Sequence, residues 1–93
     1  MSRHHNKRDS NEAQAVRELR GLGFKVMKIT GDIPGTPDLI ICKHGRVCLC
    51  EWKTKQGRLT ADQVLWHDEL KAAGVDVLIA RSIEDVLQWF GEI

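Results

Sequence analysis

The sequence has little net charge, few cysteines and no long apolar run. Its 14 Lys and Arg residues nearly balance 13 Asp and Glu residues, so the formal net charge of +1 says little about partners. The apolar runs are about as long as a strand, whereas a membrane helix needs roughly 20 apolar residues, so we expect no spanning segment. No signal-peptide pattern follows the N-terminus, and three closely spaced cysteines do not make a disulfide framework. We therefore expect a reduced, cytoplasmic protein.

The length of 93 residues suits one compact domain. Residues 1–8 form a basic leader that we expect to be a flexible arm, and residues 9–93 form the domain. Two groups of basic residues can touch nucleic-acid phosphates, and the alternative for each is a solvated surface. These residues are Arg3, Lys7 and Arg8 in the leader, and Lys55 and Arg58 further along.

Hydrophobic periodicity and turn residues predict an α/β fold with the element order α-β-β-β-α-β-α. The first helix begins at Asp9 or Ser10 and runs to about Leu22, and the flanking Gly21 and Gly23 mark its end. The other elements are strands at 24–30, 38–42 and 46–53, a helix from Thr60 to Gly74, a strand at 75–80 and a helix from Ser82, with a Gly- and Pro-rich loop at 31–37.

The dipeptide His44-Gly45 predicts a tight hairpin between the second and third strands. A two-residue turn there needs φ > 0 at both positions, which Gly favours and His tolerates. In that register Asp38 lies directly opposite Glu51, with Cβ atoms about 4.5–5.5 Å apart. Lys53 follows Glu51 by two residues and therefore projects from the same face.

Two carboxylates held face to face repel each other unless a cation lies between them. Their spacing suits a hard divalent ion such as Mg²⁺ or Mn²⁺, so Asp38 and Glu51 are candidate ligands with Lys53 beside them. The alternative is a solvated charge cluster at the surface, although Glu51 interrupts an otherwise apolar run. From the residues alone, both interpretations stay open.

The same register argues against a zinc site built from cysteines. Cys42 lies on the face that carries Asp38, whereas Cys48 and Cys50 point to the other face. We interpret all three cysteines as small buried apolar residues.

Several segments carry a recognisable pattern: Gly35-Thr36-Pro37-Asp38, Glu51-Trp52-Lys53, the run from Lys53 to Thr60 with Gln63 and Trp66, Ala72-Ala73-Gly74-Val75, and Ala80-Arg81-Ser82. Together they resemble the VRR-NUC branch of the PD-(D/E)XK nuclease superfamily. The resemblance covers nearly the whole chain, from Glu12 to the last helix. It implies a restriction-endonuclease-like core, with a mixed central sheet flanked by helices, in a single VRR-NUC-like domain at residues 9–93.

The resemblance implies a homodimeric, structure-selective endonuclease that cuts branched or Holliday-junction DNA in a prokaryotic or viral cytoplasm. It implies one or two Mg²⁺ or Mn²⁺ ions per site, bound by Asp38 and Glu51. Lys53 would contact the attacking water or the scissile phosphate. Further candidate ligands are the backbone carbonyl of Trp52 and the carboxylate of Glu12, directly or through a water.

The resemblance also implies catalytic roles for Glu12 and Gln63. Each has a second interpretation as a helix cap, because Asp9 and Glu12, like Thr60 and Gln63, have the spacing of a capping box. Glu12 also lies on the inward stripe of its helix, where a buried carboxylate needs a partner.

Two other functions stay open at this point. One is a restriction or end-processing nuclease of the same superfamily, and the other is a nucleic-acid-binding module that keeps the fold without the chemistry. Dimerisation is expected from size, because two copies would present two active sites to a branched duplex. The candidate apolar contacts are Trp66, Trp89 and Phe90, with core packing as the alternative for each.

Overall fold

The computed structural model describes the backbone of residues 3–93 and the side chains of residues 11–93. Within these residues, no helix is both long and apolar enough to cross a membrane. The predicted order α-β-β-β-α-β-α is confirmed. The elements are α1 (Arg3–Gly21), β1 (Lys25–Lys28), β2 (Leu39–Lys43), β3 (Arg46–Trp52), α2 (Ala61–Ala72), β4 (Val77–Ala80) and α3 (Ile83–Trp89).

The first helix is longer than predicted, because it begins at Arg3 instead of at Asp9 or Ser10. From Arg3 on, the leader continues α1, so the prediction of a separate arm at residues 1–8 is wrong there. The reason is that no Gly or Pro interrupts residues 3–20, and a capping residue within such a run does not by itself start a helix. The side chains of Arg3, Lys7 and Arg8 lie outside the described part of the chain, so their phosphate contacts stay a prediction.

The four strands form one sheet in the order β1-β2-β3-β4. The pairs β1–β2 and β2–β3 are antiparallel, whereas β3 and β4 run parallel and are joined through α2. The sheet is therefore mixed, as predicted.

One face of the sheet carries the core. Leu39, Ile41, Cys48 and Cys50 alternate toward this face and are at most 1% exposed. Buried residues of α1 and α3 pack against them, including Val16, Leu19, Val86 and Phe90. Burial also raises the pKa of the Cys48 thiol to about 11, so this cysteine stays neutral and apolar.

The second face, which we call the open face, carries an apolar row across all four strands. Met27 pairs with Ile40, Ile40 with Leu49, and Leu49 with Val77. Helix α2 lies over one end of this face, yet none of its residues is buried. Met27 remains 54% exposed and Val47, also on this face, 63% exposed. A large part of the apolar surface on the open face is therefore exposed to solvent.

Of the three aromatic residues considered for a dimer contact, two belong to the core side. Phe90 is buried and packs edge-to-face against Phe24 and Trp89. The Arg46 guanidinium lies 4.3 Å from the centre of the Trp89 ring. Core packing, the alternative interpretation, therefore applies to Trp89 and Phe90. Trp66 is half-buried on α2.

Candidate active site

The hairpin turn forms as the sequence predicts. His44 and Gly45 both have positive φ, 55° and 75°, as a two-residue turn of this kind requires. The register then pairs Lys43 with Arg46 and continues to Leu39 with Cys50. Asp38 and Glu51 follow directly beyond this last pair, and their side chains hydrogen-bond to each other.

Asp38 is fixed by the backbone on either side of it. Its N–H donates to the Cys50 carbonyl at 3.0 Å, and its Oδ2 accepts from the Trp52 N–H at 2.9 Å. The carboxylate therefore reaches from the start of β2 across to the end of β3. Because N–H and C=O of one strand residue point to the same side, the Trp52 carbonyl also lies on the Asp38 side of β3.

Glu51 is buried, with 1% of its surface exposed, although it lies on the face opposite the core. Its Oε2 accepts from Gln63 Nε2 at 2.9 Å, and its Oε1 lies 3.5 Å from His67 Nε2. Burial, and then the neighbouring Asp38 carboxyl, raise the pKa of Glu51 to about 8, which the charge of Lys53 opposes. Because the ionised form of Glu51 is disfavoured here, a nearby cation would stabilise that form.

Lys53 is also buried, with 3% of its surface exposed. Its N–H donates to the Ala80 carbonyl at 2.9 Å, which ties the end of β3 to the end of β4. A buried lysine next to two acids is costly to place unless it compensates charge or serves a site. The structure therefore brings together the three residues that the sequence predicts, Asp38, Glu51 and Lys53.

An open pocket of about 730 Å³ gives access to this cluster. Asp38 and Lys53 line it, with Lys55 and Arg81 on the sheet side and Glu12 on the α1 side. Glu51 is not among its lining residues and faces α2 instead.

Glu12 lies in the middle of α1, which begins at Arg3, and lines the pocket. Its Oε1 is 3.5 Å from Lys28 Nζ, and its charge also raises the pKa of Glu51. The alternative of a capping box with Asp9 concerns a side chain outside the described residues. Whether Glu12 binds a metal stays a prediction.

Gln63 caps α2, which is one of the two roles that the sequence left open, and it also contacts Glu51, while its catalytic role stays a prediction. Its Oε1 accepts from the Thr60 N–H at 2.8 Å, and its N–H donates to Thr60 Oγ1, which completes the capping box. The other end of the same amide donates to Glu51. One side chain therefore both starts α2 and orients the buried acid.

His67 was not identified from the sequence, and the structure places it at the site. It follows Gln63 by four residues, so both side chains point from the same face of α2 toward Glu51. Burial lowers the pKa of His67, which favours the neutral imidazole. The sequence contains one indication of this role, because the four-residue spacing between Gln63 and His67 places both on one face of a helix.

Of the two basic residues after Lys53 that are predicted to touch phosphates, one lies at the pocket and the other does not. Lys55 lines the pocket, while Arg58 is exposed on the same connector without lining it.

The loop that delivers Asp38 is held against α2 at a glycine. Gly35 has φ of 87°, and a Cβ there would lie 2.5 Å from the Asp62 backbone.

We predict that Gly35→Ala lowers the free energy of unfolding by about 2 kcal/mol or more, since both the left-handed backbone and the contact disfavour a side chain. Urea unfolding measures this. Gly31→Ala in the same loop is the control, because a Cβ at Gly31 meets nothing within 4 Å; an equal loss in the two variants would contradict the prediction.

The donor set fits a hard divalent ion. Two carboxylates and the Trp52 carbonyl offer oxygen, which Mg²⁺ and Mn²⁺ prefer, and the buried Glu51 beside Asp38 favours added positive charge. The described residues form no group of three or more His, Cys, Asp or Glu side chains placed to hold a metal. Water and phosphate oxygens would complete the shell, as is usual for Mg²⁺.

No protein-family model matches the chain, and no curated protein matches it. A solved structure described as a VRR_NUC domain is similar to it, with a TM-score of 0.67 and 22% sequence identity. The similarity covers 86% of this chain and 89% of that one. The chain therefore has the VRR_NUC fold, as the sequence motifs predict, and identity this low shows the fold alone.

Proposed function

We propose that this protein is a metal-dependent nuclease that hydrolyses phosphodiester bonds of DNA. The observation that carries the proposal is the cluster of Asp38, buried Glu51 and buried Lys53 at an open pocket. Burying two acids and a lysine together lowers stability, and a role in a charged reaction centre explains why such a cluster is present. The nuclease-type fold supports the same assignment.

Asp38, Glu51 and the Trp52 carbonyl would hold one or two Mg²⁺ or Mn²⁺ ions, with Glu12 as a further ligand, directly or through a water. When bound, such an ion supplies positive charge for the phosphate and makes a water a better nucleophile. Asp38 keeps its orientation through the Trp52 N–H, and Gln63 holds Glu51 from the α2 side. These contacts keep the two carboxylates in place before substrate arrives.

Lys53 would bind the scissile phosphate and stabilise the charge that grows on it during attack. The Lys53 side chain is buried beside the acids Asp38 and Glu51, where an ammonium group would offset their charge and that of an incoming phosphate. We therefore assign Lys53 to positioning and charge stabilisation, not to proton abstraction.

The flanking DNA backbone would be held by Lys55 and Arg58, and by the basic residues at the start of α1. Such contacts fix the duplex without reading its sequence. This arrangement favours a substrate defined by shape, so we propose branched DNA, including four-way junctions, as the target.

We propose that the enzyme acts as a homodimer and that the open face is the interface. A stable interface covers about 800 Å² per protomer. The apolar row from Met27 to Val77, with exposed Val47 beside it and α2 at one end, supplies apolar side chains for such an interface. Because the formal net charge is only +1, two copies have little reason to repel each other.

We predict that Val47→Glu converts a dimer into a monomer, since it places a charge in the middle of an apolar contact. Light scattering coupled to size exclusion measures the mass. Ile93→Glu is the matched control, because Ile93 is equally exposed, at 68%, but lies at the chain end. A wild-type monomer, or a Val47→Glu dimer, would remove the proposed interface.

The nuclease proposal is tested by offering the protein a four-way junction, a fork and a linear duplex with Mg²⁺, Mn²⁺ or EDTA. We expect cleavage with either metal, none with EDTA, and a preference for the junction. Equal cutting of all three substrates would remove the structure-selective claim and leave the nuclease. Binding without cutting under every condition would favour a nucleic-acid-binding module, and activity that survives EDTA would remove the metal mechanism.

A further inference from the structure

Arg81 lies where the end of β4 meets the chain that follows Lys53. The residue before it, Ala80, accepts a hydrogen bond from the Lys53 N–H at 2.9 Å. The Arg81 N–H itself donates to Asp85 Oδ2 at 2.8 Å, which fixes the backbone between β4 and α3. Hydrogen bonds therefore fix the backbone at Arg81, and its side chain extends from this fixed backbone beside the site.

The guanidinium group of Arg81 holds the turn at residues 54–57 by its backbone. Nη1 donates to the Thr54 and Gly57 carbonyls at 2.7 Å each and approaches the Lys55 carbonyl at 3.3 Å. The turn also closes on itself, because the Gly57 N–H donates to the Thr54 carbonyl at 3.1 Å. All three contacts use the single nitrogen Nη1 at the far end of the side chain, and the shorter side chain of lysine would reach fewer of these carbonyls.

This turn lies directly against the Lys53 side chain. A Cβ added at Gly57 would lie in ordinary contact with Lys53 Cδ, at 3.5 Å, and only 2.9 Å from Thr54 Oγ1, so Gly57 packs beside both side chains. The turn is otherwise made of exposed residues with little apolar surface to fix it. The conformation of the turn thus controls how Lys53 is buried.

We propose that Arg81 is a positioning residue for Lys53: by gathering the carbonyls of Thr54, Lys55 and Gly57, it fixes the turn that holds the Lys53 amine at the reaction centre. This inference rests on the proposed nuclease function. It differs from a direct role in phosphate binding, because Arg81 then acts only through the turn and through Lys53.

A double-mutant cycle separates the two roles. In single-turnover cleavage of a junction at saturating DNA with Mg²⁺, Arg81→Ala is expected to lower the rate about 10- to 100-fold. In the Lys53→Ala background the same change is expected to cost less than about 3-fold, because the residue through which it acts is gone. Arg81→Lys, which keeps the charge but reaches fewer carbonyls, should fall between the wild type and Arg81→Ala. Fully additive losses would overturn the proposal in favour of direct phosphate contact.

Arg46→Ala is the matched control. Arg46 also donates from Nη1 to a backbone carbonyl, that of Trp89 at 3.1 Å, and packs at the opposite end of β3. It should leave the cleavage rate within about 3-fold of wild type after equal folding is checked by circular dichroism. A loss as large as that of Arg81→Ala would show a general effect on stability and would overturn the proposal.

A measurement without DNA keeps the two proposals distinguishable. The rate at which an acylating reagent modifies Lys53, read by mass spectrometry against exposed Lys71, reports how well the turn covers the buried amine. We expect Arg81→Ala, but not Arg46→Ala, to raise the relative rate about 10-fold or more. If the wild type cuts no substrate, the nuclease function fails while this result still decides whether Arg81 holds the turn. An unchanged rate would overturn the role of Arg81 even if the nuclease is confirmed.

Discussion

Replacing Asp38 with asparagine is expected to lower the rate of DNA cleavage by about 10³-fold without lowering stability. The amide oxygen of Asn can still accept the Trp52 N–H, so the local geometry is retained. The charge is lost, and with it the main attraction for a divalent ion. Below about pH 8 Glu51 holds a proton and shares a side-chain hydrogen bond with Asp38. The Asn amide can also hydrogen-bond to Glu51, so we expect the free energy of unfolding to stay within about 1 kcal/mol of the wild type.

The combination of lost activity and retained stability is what distinguishes a reaction centre from a structural charge pair. Single-turnover cleavage and thermal unfolding on the same samples measure both. Asp76→Asn is the matched control, since Asp76 is exposed between α2 and β4. If Asp38→Asn cut DNA like the wild type, or if it unfolded well below it, Asp38 would be a structural residue and the proposed site would lose its first ligand.

The sequence predicts the two acids well because one local feature decides their geometry. A two-residue turn with His44 and Gly45 at positive φ allows one register, and that register carries Asp38 to Glu51. Lys53 then follows from the alternation of the strand. No long-range information is needed for these three residues, and the same holds for the capping box at Thr60 and Gln63.

What the sequence could not supply depends on how distant elements meet. His67 faces Glu51 only because α2 crosses the open face at one angle, and Arg81 reaches the turn after Lys53 only because β4 pairs in parallel with β3. The four-residue spacing of His67 from Gln63 is local, but neither contact can be predicted without knowing where these elements pack or pair in the fold. The start of α1 differs for another reason: helix-compatible residues continue upstream of the expected cap, so a capping residue within the run does not mark the boundary.

Divalent ions are expected to stabilise this protein against heat, and the effect should grow as the pH rises. In the metal-free protein the pKa of Glu51 is raised from 4.5 to about 8, so between these values the folded state keeps a proton that the unfolded chain has lost. Folding stability therefore falls as the pH rises through this window, by on the order of 2–4 kcal/mol. Metal binding needs the ionised carboxylate, so it offsets this loss most strongly at the upper end of the window.

The measurement is thermal unfolding with Mn²⁺, Mg²⁺ or EDTA at about pH 6, 7 and 8.5. At roughly 100 times Kd the ion adds about 2.7 kcal/mol, which raises Tm by roughly 10 °C or more in a domain of this size. In EDTA, Glu51→Gln should unfold at a higher temperature than the wild type at pH 8.5, where the wild-type carboxyl is ionised, and about equally at pH 6. It should lose most of the pH dependence and respond little to either ion, because a neutral amide neither titrates nor serves as a charged ligand. Glu69→Gln, an exposed change on α2, should behave like the wild type. A metal-induced shift in Glu51→Gln as large as in the wild type would place the ion elsewhere, and the raised pKa of Glu51 would then be a property of packing alone.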